Sequence, residues 1–472
     1  MDWEDSPKEE CGVLGIFAPG EDVARMAFFG LFALQHRGQE AAGIAVSDGN
    51  VIRLKKDVGL VSQVFDPQTL SKMQGDYVIG HTRYSTTGSS SATNAQPFMI
   101  DTQYGSLALA HNGNLVNAAE LRAKLMQQGV GMSSTSDTEV MIMTLACSKG
   151  STWFERLHDA IQNWVGAYSL VVLTRNQVFA VRDPWGFRPL SIGMLPNNMG
   201  HVVASEYGAL HTLGCIACRE VQPGEIVSLS NNALTVYQAF KPQEQTAFCT
   251  FEHIYFSRPD NIWDGKNIHL VRQRLGANLA AESPVEADVV ISVPDSSVPA
   301  AIGYAAASGI PYNEGFIKNR YIGRTFIEPT DSLRKQGVAL KYNVILENVL
   351  DKRVILVDDS IVRGNTSGPL IQLLKNAGAK EVHLRITCPP IMHPCFMGVD
   401  MGSYDELIAA HLTIPQICEK VGADSLAFLS LEKMMSAIGS SHGYCNACFT
   451  GKYPLPVPEG ITKTCFEVPQ AC

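Results

Sequence analysis

No apolar run in this chain approaches the roughly 20 residues that a membrane-spanning helix needs. Cations are also scarce, with 37 Lys and Arg against 46 Asp and Glu and a formal net charge of -9. The first shortage argues against a helical membrane protein. The second argues against a general nucleic-acid or membrane-surface binder, while leaving room for a local basic patch that holds a phosphorylated metabolite. Neither a basic helix nor a helix-turn-helix segment is found, so a DNA-bound regulator would lack its reading module. The opening MDWEDSPKEE, Met1 to Glu10, has neither the basic nor the apolar region of a secretory signal. A cytoplasmic location is expected. At 472 residues the chain can form two large domains or three smaller ones and bury a sizeable core without disulfides. Its 12 cysteines then read as thiols, a nucleophile or metal ligands.

The most informative stretch is VILVDDSIVRGNTS, Val354 to Ser367. Four apolar residues end in two carboxylates and a hydroxyl, and the run breaks at Gly364 before a polar triplet that can start a helix. A strand, a loop and a helix start are predicted. Backbone N–H groups at such a start, with the hydroxyls of Ser360, Thr366 and Ser367, suit a phosphate. Asp358 and Asp359, at the end of a buried strand, can orient a sugar diol or the waters of Mg2+. An ordinary turn with two solvated acids is the plain alternative. The whole string resembles the loop of type I phosphoribosyltransferases that binds phosphoribosyl pyrophosphate (PRPP). By that resemblance Asp358, Asp359, Ser360, Arg363, Gly364, Asn365, Thr366 and Ser367 are PRPP contacts, with Asn365 a mild variant.

In the first half, ECGVLGIF places Cys11 at the head of a short apolar strand directly after the polar leader. If the leader were removed after Glu10, Cys11 would carry a free α-amine of pKa about 7.7 to 8.0, a base within reach of its own thiol. A cysteine packed in a strand is the competing reading. LQHRGQEAAGIA (Leu34 to Ala45), GHTRYSTTG (Gly80 to Gly88), HNGNL (His111 to Leu115) and TSDTE (Thr135 to Glu139) follow in order. Together these resemble the glutamine amidotransferases of the N-terminal-nucleophile class. The resemblance implies that Arg83 and Asp137 hold the two ends of glutamine, with Arg37 and Thr86 close by. It also implies an oxyanion hole of Asn112 and the N–H of Gly113, which suits a tetrahedral intermediate that needs fixed donors. His36, His81 and His111 sit beside glycines in turn-like segments and are expected to orient loops, not to act as bases.

The remaining runs, AYSLVVLT, QVFAVRDPWGFRPLSIG and EIVSLS, alternate with turns and suit two packed sheets with helices outside. Cys215 and Cys218 form a CxxC in a strand-like pattern, where residues three apart point to opposite faces, so structural cysteines are expected. The first domain should end near Phe240. ADVVISVPDSSVPAAIGYAAASG then reads as a buried strand, a turn and an Ala-rich helix, and the resemblance makes Ser296 a magnesium contact. RYIGRTFIEPTDSLRKQGVALKY, Arg320 to Tyr342, carries Arg324, Arg334, Lys335 and Lys341 and reads as a lid closing over substrate. A helix, the strand KEVHLRITC and helical material to about Gly439 should follow.

Cys445 and Cys448 of YCNACFTGKYP, with Cys395 and Cys249, supply the four thiolates that zinc or a cubane cluster needs, and spacing does not choose between them. Cys388 is the rival ligand. GYCNACFTGKYP and HPCFMGVD resemble the leader-bearing, iron-sulfur subclass of the amidophosphoribosyltransferase family, which implies a [4Fe-4S] cluster. The resemblance spans nearly all of residues 11 to 455. The expected organisation is a propeptide over 1–10, an αββα N-terminal-nucleophile sandwich over 11–240, and a type I phosphoribosyltransferase domain with a central parallel sheet and a cluster-binding segment over 241–472. The family implies synthesis of 5-phosphoribosylamine from glutamine and PRPP, Mg2+, a homotetramer and inhibition by purine nucleotides. An amidotransferase with another acceptor and a PRPP-sensing regulator are the alternatives.

Overall fold

A computed structural model describes residues 11–84, 91–231, 233–240, 246–319, 341–440 and 442–458. The leader, Thr86, Arg324, Arg334, Lys335, Cys465 and Cys472 lie outside the described residues.

Two antiparallel sheets of seven and six strands form the first half. The strand Gly12–Phe17, buried at every position, runs between His201–Ala204 and Tyr77–Arg83 inside the larger sheet. Short β-rich runs alternate their side chains, so each sheet has two apolar faces to cover. The inner faces meet in one core, with Val13, Ala45 and Ile79 from the larger sheet against Ala108, Val171 and Val227 from the smaller. The outer face of the larger sheet packs on the helix Val23–Ala33, whose N-cap Asp22 accepts the Arg25 N–H. Helices Asp137–Cys147 and Trp153–Ile161 cover the smaller sheet. This is the expected αββα sandwich.

The second half is built on four parallel strands in the order Val289–Ser292, Arg353–Asp358, Glu381–Ile386 and Ser425–Phe428. Helices on both faces give a single core that includes Val290, Leu275, Tyr304, Ile355, Leu374 and Leu384. Two details correct the sequence reading. The stretch expected to be helical up to Gly439 contains the fourth strand, Ser425–Phe428, inserted between helices Ile414–Val421 and Leu431–Ile438. Cys215 and Cys218 do not face opposite ways. A left-handed Ala217 (φ 49°) and a register shift between Ile216 and Arg219 bulge the strand, and both sulfurs pack over Gly193.

The halves meet through side chains and backbone. Val116, Ala167 and Phe187 of the first share an apolar cluster with Ala247, Met397 and Leu455 of the second. Asn114 Nδ2 donates to the Phe396 carbonyl at 2.9 Å. At Gly398 (φ +104°) an added Cβ would lie 2.9 Å from the Gly113 Cα, so two backbones touch where no side chain fits. No helix among the described residues is long and apolar enough to cross a membrane.

Candidate active sites

Cys11 stands at the mouth of the buried strand Gly12–Phe17 and is itself buried. Its Sγ lies 3.2 Å from the Tyr84 carbonyl, to which it can donate, and 3.4 Å from the Tyr84 N–H. Burial pushes the thiol up to about 11, partly offset by the Tyr84 contact and Arg83. A thiol in this state is protonated at neutral pH and needs a base. The histidines are not that base. His36 bonds Glu206 (2.8 Å), His81 bonds the His111 carbonyl (3.0 Å) and His111 bonds the Ala167 carbonyl (3.2 Å). Burial lowers His81 to about 3 and also lowers His111, leaving both neutral.

Arg83, at the end of the neighbouring strand, and Asp137, at the start of the helix Asp137–Cys147, both act electrostatically on Cys11 and on each other. The Asp137 carboxylate accepts the Leu115 N–H at 3.1 Å, which ties it to the strand that carries Asn112 and Gly113. Asn112 is 1 % exposed, and its Nδ2 has no hydrogen-bond partner among the described residues. A buried amide donor without an acceptor is costly unless something transient supplies one. Gly113 has φ +142°, and a Cβ there would run into the Ala167 carbonyl.

Arg37 lies directly beside Cys11. Its Nε donates to the Cys11 carbonyl at 3.3 Å, and its other nitrogens are taken up by Glu206 (2.5 Å) and Glu252 (2.6 and 3.1 Å), all three side chains fully buried. Its contact with Cys11 therefore runs through the Cys11 main chain. Glu206 and Glu252 were not singled out from the sequence. For Glu252 the available signal was an acid inside the mostly apolar CTFEHIYF.

In the second half, Asp358 and Asp359 end the strand Arg353–Asp358 and are 3 % and 2 % exposed, so they are not solvated acids. Ser296 Oγ donates to Asp359 (2.7 Å), Ser360 Oγ to its other oxygen (2.6 Å), and Ser297 Oγ to Asp358 (3.1 Å). Burial raises the Asp359 pKa, opposed by these hydroxyls and by Arg272. The carboxylates are thus held in one orientation at the carboxyl end of a parallel sheet, where α/β proteins bind ligands. Ser297, also missed from the sequence, has no side-chain cap role for the helix Val298–Ser308 because its hydroxyl serves the aspartates. Gly364 turns the chain at φ +78°, and helix Ser367–Asn376 starts directly after it. Arg363 bonds Glu406 at 2.9 Å.

The four cysteines converge from three segments. Cys249 and Cys445 are register partners in a short parallel pair, and Cys448 follows on the helix Ala447–Thr450. The Cys448 carbonyl accepts the N–H groups of Met392 and His393, drawing in the segment that bears Cys395. Burial raises Cys448 well above a normal thiol and Cys445 to about 12, and Cys249, Cys395, Cys445 and Cys388 add to the rise at Cys448. Cys388 faces Asp358 and Asp359 as well. Among the described residues no three His, Cys, Asp or Glu groups cluster as ligands of a single metal ion.

Residues 81–212 match the glutamine amidotransferase domain, and residues 260–391 match the phosphoribosyl transferase domain. The amidophosphoribosyltransferase of Archaeoglobus fulgidus is 50% identical over 457 residues, covering 95% of this chain and 98% of that protein. That of Synechococcus elongatus is 47% identical, covering 98% and 94%. The solved glutamine PRPP amidotransferase of Bacillus subtilis, complexed with ADP and GMP, superposes with a TM-score of 0.89 at 45% identity, covering 95% and 98%. With both domains matched on one chain and relatives of this identity along nearly its full length, the chain belongs to the amidophosphoribosyltransferase family, which makes 5-phosphoribosylamine, glutamate and pyrophosphate from PRPP, glutamine and water.

Proposed function

We propose that Cys11 becomes the N-terminal residue by loss of residues 1–10 and that its own α-amine is the base for glutamine hydrolysis. The observation that carries this reading is the Cys11 thiol: it is pushed up to about 11, and among the described residues its hydrogen-bond partners are the main-chain groups of Tyr84. The amine takes the thiol proton, and sulfur attacks the glutamine carboxamide carbon. The oxyanion meets Asn112 Nδ2–H and Gly113 N–H, and ammonia leaves with the proton returned by the ammonium. Water then splits the thioester to glutamate. Arg83 and Asp137 bind the two ends of glutamine.

Ammonia crosses to the second site and displaces pyrophosphate from C1 of the ribose. Asp358 and Asp359 orient the ribose hydroxyls, and the loop from Ser360 to Ser367 receives the 5-phosphate. Arg324 and Lys335 serve the pyrophosphate. The oxygen set of Ser296, Asp358 and Asp359 suits Mg2+, which would neutralise the leaving pyrophosphate. The donor set of Cys249, Cys395, Cys445 and Cys448 suits a [4Fe-4S] cluster, because crowded buried thiols ionise only beside compensating positive charge. This cluster would tie together the segments that carry its ligands. The ADP and GMP in the Bacillus subtilis structure favour purine-nucleotide inhibition here too, and the family resemblance is the ground for a cytoplasmic homotetramer.

Intact mass tests the first point, since active protein should begin at Cys11. Anaerobically purified protein should be brown with about four iron per chain. Colourless active protein with one zinc would overturn the cluster.

A further inference from the structure

Four ionised side chains lie fully buried where the two halves meet: Arg37 and Glu206, and Arg188 and Glu252. Glu252 belongs to the second half, at the start of the short π-helix Glu252–Phe256. It grips Arg37 with both oxygens, at 2.6 and 3.1 Å, and Arg188 at 3.1 Å. Ser257 Oγ donates to it at 2.6 Å and is itself held by Trp263 Nε1 at 2.7 Å. Buried ion pairs are poor stabilisers, because desolvation cancels most of the attraction, so stability alone is a weak account of this arrangement.

Geometry supplies a better one. A residue that starts a chain has no preceding peptide to orient its amine. At Cys11 two of the three directions around Cα are fixed from outside: the thiol by Tyr84 and the carbonyl by Arg37 Nε at 3.3 Å. With both fixed, the amine has one direction left. A bidentate carboxylate is the partner that holds a guanidinium in a single plane.

We propose that Glu252 is a positioning residue of the glutamine site: it fixes Arg37, and through Arg37 the Cys11 carbonyl, so that the amine faces its own thiol. This rests on the reading of Cys11 as an N-terminal nucleophile. The glutamine site is then completed by a residue of the other domain.

Charge gives a readout that a merely structural role would not move. Arg37, Arg188, Glu206 and Glu252 sum to zero. Around Arg37 lie His36 and the Arg258 backbone N–H, both on Glu206, with Arg272 interacting with Glu206 and Glu252. Cys11 itself faces Glu40, Arg83 and Asp137. Glu252→Gln keeps the shape and leaves one positive charge in excess beside Cys11. A protonated amine is then disfavoured, and its pKa falls.

The test is the pH profile of glutamine kcat/KM in full-length, processed protein. Glu252→Gln should lower kcat roughly tenfold and move the acid limb down by about one pH unit. Glu252→Asp, which keeps the charge but shortens the reach, should lower kcat with the acid limb at its original position. Should Glu252→Gln fail to fold, Glu252→Asp decides alone: a kcat loss at unchanged glutamine KM supports the proposal, and a KM rise at unchanged kcat overturns it. An unmoved acid limb in folded Glu252→Gln overturns it as well. Cys11→Ala separates the two levels. Glutamine hydrolysis surviving in Cys11→Ala would overturn the nucleophile reading and this inference together, whereas its loss there with an unmoved Glu252→Gln profile overturns the inference alone.

Discussion

The two active sites are assembled in opposite ways. The carboxylates and loop of the PRPP site come from one unbroken run, Val354 to Ser367, with Ser296 and Ser297 arriving from the neighbouring parallel strand's turn. The proposed glutamine site draws Cys11, Arg37, Arg83, Asn112 and Asp137 from five separate segments, and Arg37 reaches a carboxylate 215 residues away. A contiguous site depends on one turn being made correctly. A dispersed one depends on the whole sandwich and on the domain border, so it should be the more sensitive to distant changes.

The harshest way to break this comparison is to remove the proposed nucleophile. Cys11→Ala should stop both leader removal and glutamine hydrolysis, leaving a chain whose intact mass still includes residues 1–10. Asp358→Asn with Asp359→Asn should abolish synthesis with glutamine and with ammonium at high pH alike, because the ribose loses both buried carboxylates. A milder cut falls on Asn112→Ala in a processed chain. Loss of one oxyanion donor should cost about 2.7 to 4 kcal/mol, or 100- to 1,000-fold in glutamine kcat. Synthesis from ammonium and PRPP should persist, and its loss in protein that still binds PRPP would deny the division into two sites. The smallest effect is expected at Gly398→Ala, far from both substrates in sequence. Its Cβ would press on the Gly113 backbone at 2.9 Å. A roughly tenfold fall in glutamine kcat follows if the oxyanion donor shifts, corresponding to about 1.4 kcal/mol. Ammonium-dependent kcat should stay within twofold, and equal losses in both assays would make the effect one of general stability.

The same contrast explains what was legible beforehand. The PRPP loop could be read because strand, acids and helix start are adjacent, and the four glutamine-site motifs because they occur in a family's order. The partners of Arg37 could not be read, since nothing local to LQHRGQ or CTFEHIYF indicates that they meet. The strand Ser425–Phe428 was hidden by its length, a few residues between amphipathic helices. Cys215 and Cys218 misled because alternation assumes a regular strand, and a single left-handed Ala217 undoes it. Ser297 sits in a plain turn before an Ala-rich helix, and nothing local shows that its hydroxyl is spent on a carboxylate brought in by the sheet.

The meeting of Gly398 with Gly113 sets an order of events on the ribosome. Gly113 and its apolar neighbours Val116 and Ala167 emerge early, but what covers them, Met397 and Leu455, is made more than 200 residues later. At 5 to 20 residues per second that interval is roughly 10 to 60 s. Throughout it the nascent sandwich carries a bare apolar face and lacks Glu252 for part of the time. Gly113, made early in translation, thus acquires its final surroundings only near the end.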